Sequence, residues 1–186
     1  MDNLQVKSHI LTAWEYSYLH DDWLNPLAEA LEGVSVDDAL WRPGPNTKGI
    51  WEIVLHMAVW TENIMERMRT GERVRPEEGA WPALPQVADQ LAWESAKARM
   101  WQSLEDLRQY IESGPPELLI SGPWGLADLL CRFIHNAYHI GQITKMKECM
   151  AAARATGPQF TLRSCSEETK NGLSRVDGQM PPRRNM

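Results

Sequence analysis

The chain has 186 residues, 43% of them hydrophobic, and a formal net charge of −6. That is enough chain for one domain with a sizeable core, and the acidic balance argues against nucleic acid as the main ligand, because phosphate binding needs a basic face. No apolar run reaches the ~18 residues of a membrane span, and the N-terminus has no signal-peptide pattern. Three cysteines (Cys131, Cys149, Cys165) with no CxxC pair read as free thiols of a reducing compartment, so a cytoplasmic protein is expected.

The first predicted helix runs over about 4–32. Ile10, Ala13, Trp14, Tyr18, Leu24, Leu27 and Leu31 follow helical spacing, with a kink or break near Asn25-Pro26 and Gly33 to end it. Ser35 can cap a short turn through Leu40. Trp41-Arg42-Pro43-Gly44-Pro45-Asn46-Thr47 is turn chemistry ending in a helix cap. The second helix covers about 48–70, with Ile50, Ile53, Val54, Met57, Trp60, Ile64 and Met68 inward, His56 at the edge of that stripe, and Gly71 just past the end. After a loop over 71–85, the third covers about 86–112, with Leu91, Ala98, Trp101, Leu104, Leu107 and Ile111 on one side. Ser113-Gly114-Pro115-Pro116 breaks it.

The fourth helix, about 126–152, is apolar on two sides. Leu126, Leu130, Phe133, Ala137 and Ile140 form one stripe; Cys131, His135, His139, Gln142 and Met146 form another. Such a helix is central to a bundle or shared with a second subunit. From about 163 the chain turns polar, so a domain over 1–158 and a tail over 159–186, mobile or bound to a partner, are expected. No stretch shows sustained strand alternation, and an all-α four-helix bundle with a flexible C-terminal tail follows.

Three histidines carry the chemistry. His135 and His139 stand at i and i+4, one face of a helix, where two imidazoles can chelate one ion. His56, on another apolar helix, supplies a third ligand if the two helices pack together. Three imidazoles are the smallest set for an open site with room for water or substrate. Cys131, one turn before His135, can add a thiolate, although a free cysteine is more often a small buried hydrophobe. Glu52, one turn before His56, can hold a ligand's N–H, act as a base, or simply sit as a first-turn charge on the helix dipole. Gln142 can orient a ligand or hydrogen-bond at the bundle edge. His9 and His20 are base candidates with nothing to tie them to the triad. Trp60, Trp51 and Trp23 can wall a pocket or fill the core.

The segment Leu40 to Ala58, through Trp41-Arg42-Pro43-Gly44-Pro45-Asn46-Thr47 and His56, resembles the turn, cap and second helix of the DinB/YfiT-like superfamily. His135-Asn136-Ala137-Tyr138-His139-Ile140-Gly141-Gln142 resembles the HxxxHxGQ segment of its last helix. The resemblance covers about residues 5–150. It implies an up-down-down-up four-helix bundle, with His56, His135 and His139 as ligands of one Zn²⁺ or Ni²⁺. A homodimer is expected, with the fourth helix or the C-terminal tail as contact surface. Relatives include S-transferases and an isomerase that use low-molecular-weight thiols, metal-dependent hydrolases, and proteins with no known activity. The expected function is a metal-dependent enzyme on a small molecule, of the thiol-dependent S-transferase or hydrolase type. A non-catalytic metal-binding or stress-response interaction protein is the alternative.

Overall fold

The computed structural model describes residues 2–21 and 24–156. Among these there are seven helices and no strand: α1 (Asn3–Tyr16), α2 (Leu27–Leu31), α3 (Val36–Leu40), α4 (Ile50–Thr70), α5 (Gln90–Ser113), α6 (Pro116–Ser121) and α7 (Leu126–Thr156). The four long ones, α1, α4, α5 and α7, make the bundle. By its internal contacts the chain divides into two units, 1–147 and 148–186. The first holds the bundle; the described part of the second is the end of α7. The expected tail over 159–186 lies outside the described residues.

α1 starts at Asp2, whose carboxylate accepts from the Gln5 N–H at 2.8 Å. It ends sooner than expected. The Ser17 hydroxyl donates to the Trp14 carbonyl, and after a turn the chain leaves the helix. The helical spacing seen over 4–32 therefore belongs to two elements, α1 and the short α2. Pro26, which has no N–H and biases the residue before it away from αR, stands as the N-cap of α2. Ile10, Trp14, Tyr18, Leu27 and Leu31 are buried all the same. Trp14 satisfies its indole N–H on the Leu104 carbonyl of α5 and packs its ring against Phe133 of α7.

Ser35 caps α3 in a full capping box with Asp38. The turn after it delivers Gly49, the N-cap of α4, into a gap where only glycine fits. A Cβ there would lie 2.9 Å from the Ala39 carbonyl oxygen and 3.0 Å from that of Trp41. α4 ends where expected: Gly71 closes it at φ 74° in the left-handed region. From Ile50 to Val59 every residue of α4 is buried, so this half of the helix is enclosed on all sides.

α5 begins at the Asp89 cap, later than the expected 86. The buried line is Trp93, Ala96, Met100, Leu104, Leu107 and Ile111; Leu91 and Ala98, expected inward, are exposed. The stripe drawn through them had the right helix and a wrong face near its start. α6 was not anticipated. Pro115 and Pro116 end one helix and begin the next, because proline suits a first helical position where no N–H is needed.

In α7 the inward residues are Leu129, Arg132, Phe133, Asn136, His139, Ile140 and Ile143, while Leu130 is exposed. Lys147 ties this helix to the C-terminal end of α2 by donating to the Glu29 and Glu32 carbonyls. Cys131 is a free thiol as expected, but it is exposed and not the small buried hydrophobe that a free cysteine more often is; Cys149, expected free, is disulfide-bonded. No helix among the described residues is long and apolar enough to cross a membrane.

Candidate metal centre

α4 and α7 bring His56, His135 and His139 together, with one ring nitrogen of each within 4.8 Å of the others. His56 Nε2 lies 2.9 Å from His135 Nε2, and His139 Nε2 lies 3.1 Å from it. His56 and His139 are buried and His135 is half-buried.

The outer nitrogens decide what the inner ones can do. His56 Nδ1 faces the Ala80 carbonyl at 2.5 Å, and His139 Nδ1 faces Gln142 Oε1 at 2.7 Å. Both partners only accept, so both rings donate through Nδ1 and turn a bare Nε2 lone pair inward. Gln142 is itself oriented by donating to the Tyr138 hydroxyl. This is the arrangement by which a carbonyl or carboxyl group fixes a metal-binding histidine. His135 differs. Its Nδ1 meets Arg132 Nη2, which can only donate, so in the neutral ring Nε2 carries the hydrogen and points it at the other two.

Burial lowers the pKa of all three rings. His135 falls to about 2, with Arg132 and the other two histidines adding to burial. His139 falls to about 4, and His56 shifts the same way. Neutral imidazoles are what a divalent ion needs. With metal–nitrogen bonds of about 2.0–2.1 Å, two nitrogens on one ion stand roughly 2.9–3.4 Å apart. Two of the three separations, 2.9 and 3.1 Å, fall in that range, and the third lies within 4.8 Å; three imidazole nitrogens are a donor set that suits a divalent ion.

Trp81, in the loop between α4 and α5, stacks on the His56 ring at 3.9 Å between centroids and 17° between planes. It also meets His139 edge-on, and Lys48 lies over its outer face. The loop is held in place by Arg99 of α5, whose guanidinium binds Glu62 of α4 and Glu78 of the loop at 2.7 and 2.6 Å. Neither Trp81 nor the Ala80 carbonyl was expected from the sequence.

On the other side of His135 is a cavity of 160 Å³, lined by Trp60, Asn63, Arg67, Asp128, Cys131 and Arg132 among others. Arg132 is buried (6% exposed) and donates to Asn136 Oδ1 at 2.9 Å as well as to His135. Its Nε has no partner. No carboxylate reaches its guanidinium among the described residues, and burial pulls its pKa down to about 9, which leaves it charged at neutral pH.

Of the other expected site residues, Trp60 lines the cavity and meets His56 edge-on. Gln142 holds His139. Glu52 sits at the helix cap: it accepts from the Gly49 N–H at 3.0 Å and binds Arg42 and Lys48. Burial pushes its pKa up, but those partners outweigh it and hold the carboxyl below its usual value. Trp51 packs on Trp93 in the core. His9 and His20 are exposed on and after α1 and are not part of the histidine cluster, and Trp23 lies outside the described residues. Cys131 lines the cavity without joining the histidine cluster.

No curated protein and no solved structure matches the chain. A family does: the DinB superfamily model matches residues 19–143, a stretch that starts just past α1, ends at Ile143 in α7 and contains all three histidines. The match covers well over half of the chain, and the chain belongs to the DinB superfamily.

Proposed function

We propose that this protein is a metal-dependent enzyme acting on a small molecule, with one divalent ion, Zn²⁺ or Ni²⁺, held by His56, His135 and His139. The observation that carries the reading is the convergence of three neutral imidazole nitrogens within 4.8 Å, two of them with their outer nitrogens anchored. Such an ion acidifies a coordinated water or thiol and so supplies a nucleophile at neutral pH. The chain's own residues do the rest. Ala80 and Gln142 keep two ligand rings in the tautomer that frees Nε2. Trp81 covers one face of His56 and limits water there. The cavity beside His135 receives the substrate.

The reaction classes proposed are thiol-dependent S-transfer, with a low-molecular-weight thiol as cosubstrate, and hydrolysis. Both use the same ligands. The alternative is a non-catalytic metal-binding or stress-response interaction protein. A site of that kind has no need of a cavity at its ligands, so the 160 Å³ space bordering His135 favours the enzyme. We also propose a homodimer. Its support is a row of exposed apolar side chains on one face of α7: Leu130, Ile134 and Tyr138 at i, i+4 and i+8.

The deciding experiment is metal content per chain on tag-free protein beside His56→Ala and His139→Ala. About one ion per chain in the parent, lost in both variants, is the expected result. A parent that holds no metal after reloading and desalting overturns the reading. A panel of thiol-transfer and ester or amide substrates then separates enzyme from metal-binding protein.

A further inference from the structure

Arg132 poses a problem that the triad does not solve. A guanidinium taken out of water without a carboxylate is costly, and buried charges are normally paired. Arg132 has only neutral partners, Asn136 Oδ1 and His135 Nδ1, and its Nε has none. The same cavity is lined by another cation. Arg67 lies against the Trp60 and Trp124 rings and donates to the Val74 carbonyl. The cavity thus has two guanidinium groups against one carboxylate, Asp128.

The contact with His135 sharpens the problem. A neutral His135 that gives Nε2 to a divalent ion keeps its hydrogen on Nδ1, and Nδ1 faces Arg132. Donor then faces donor, and Arg132 needs a new acceptor just as the local positive charge rises. The cavity far exceeds the ~30 Å³ that one water occupies in the liquid, so there is room for an acceptor larger than water.

We propose that the cavity beside His135 is an anion subsite in which Arg132, assisted by Arg67, receives the carboxylate head of a small-molecule substrate. Nη2 is engaged by Asn136 and His135, so the remaining guanidinium hydrogens make the contact, as charge-assisted hydrogen bonds that a carboxylate accepts better than a neutral group. The inference rests on the metal-enzyme reading for its meaning as a substrate site, but the anion subsite itself exists without the ion.

The test uses trifluoroacetate and its uncharged counterpart trifluoroacetamide, titrated into the full chain and followed by fluorine-19 line broadening. Metal-free and zinc-loaded protein are compared, and metal content is measured on each sample. Trifluoroacetate is expected to bind both forms, more tightly with zinc, and trifluoroacetamide to bind at least tenfold more weakly. Arg132→Met should weaken trifluoroacetate at least tenfold while the zinc content stays at the parent level. Its Tm should hold or rise, because an unpaired buried charge is replaced by an apolar side chain. Asp128→Asn, on the half-exposed wall, should tighten trifluoroacetate several-fold and provides the test if Arg132→Met does not fold. Equal binding of the amide, or trifluoroacetate affinity within twofold of the parent in either variant, overturns the proposal. A parent that binds no metal sinks the enzyme reading alone, since the metal-free titration still decides the anion subsite.

Discussion

At the scale of single residues, the site is a set of nitrogens whose hydrogens are assigned by their neighbours. Gln142 is the most direct case. Its Oε1 holds the hydrogen of His139 on Nδ1. Gln142→Leu should therefore leave the fold intact and weaken zinc binding by about 10- to 100-fold, the usual effect of losing the partner behind a histidine ligand. Competition with a chromophoric chelator measures it; an unchanged affinity would leave Gln142 as a bundle-edge polar residue. The histidines themselves were legible because the i, i+4 spacing on an apolar helix is local information. Arg132 was less visible, though it left a signal: a charge inside the line Leu129, Phe133, Asn136, Ile140, where a buried face should have none. Trp81 and the Ala80 carbonyl had no such signal. A loop's side chain reaches the site through the path of the whole loop, which its own spacing does not encode.

At the scale of elements, glycines separate two kinds of constraint. Gly49 needs to be small because two carbonyl oxygens of the α3 end crowd it. Gly49→Ala should lower stability by about 1–3 kcal/mol, the range for forcing extra volume into a packed place, and thermal unfolding reads it. Gly141 is the opposite. It lies inside α7 with nothing within 4 Å of an added Cβ. Gly141→Ala should stabilise the isolated chain by about 0.5–1 kcal/mol through helix propensity alone. If that gain disappears at high protein concentration, the α7 face carrying Ile134 and Tyr138 is where two copies approach. The ends of α4 were legible in the turn before it and in Gly71. The end of α1 was not, because the apolar spacing continued past Ser17 into another helix, and α6 hid behind prolines that looked only like a stop.

At the scale of the whole molecule, the all-α bundle followed from the 3.6-residue period of four long segments, while the number of short connecting helices did not. The same packing sets a pH limit. Tyr18 is enclosed among Trp14 and Trp101, and burial, with Glu105 nearby, raises its pKa from 10 to about 12. Its hydroxyl stays protonated in the fold after it would ionise in the unfolded chain. The stability it contributes is present in full below pH 10 and is lost as pH rises through 12. Chemical unfolding at pH 9 and pH 11.5 should show this drop in the parent and a smaller one in Tyr18→Phe.

The two helices that meet at the triad also join distant parts of the chain. His56 and His135 are 79 positions apart in sequence. An ion bound to both is a crosslink, and unlike a disulfide it can be removed by a chelator. Anything that binds only the native state adds stability with its concentration, about 2.7 kcal/mol at one hundred times its dissociation constant. Metal-loaded chains should then resist proteolysis where stripped chains are cut, and cellular metal supply would set how long each copy survives.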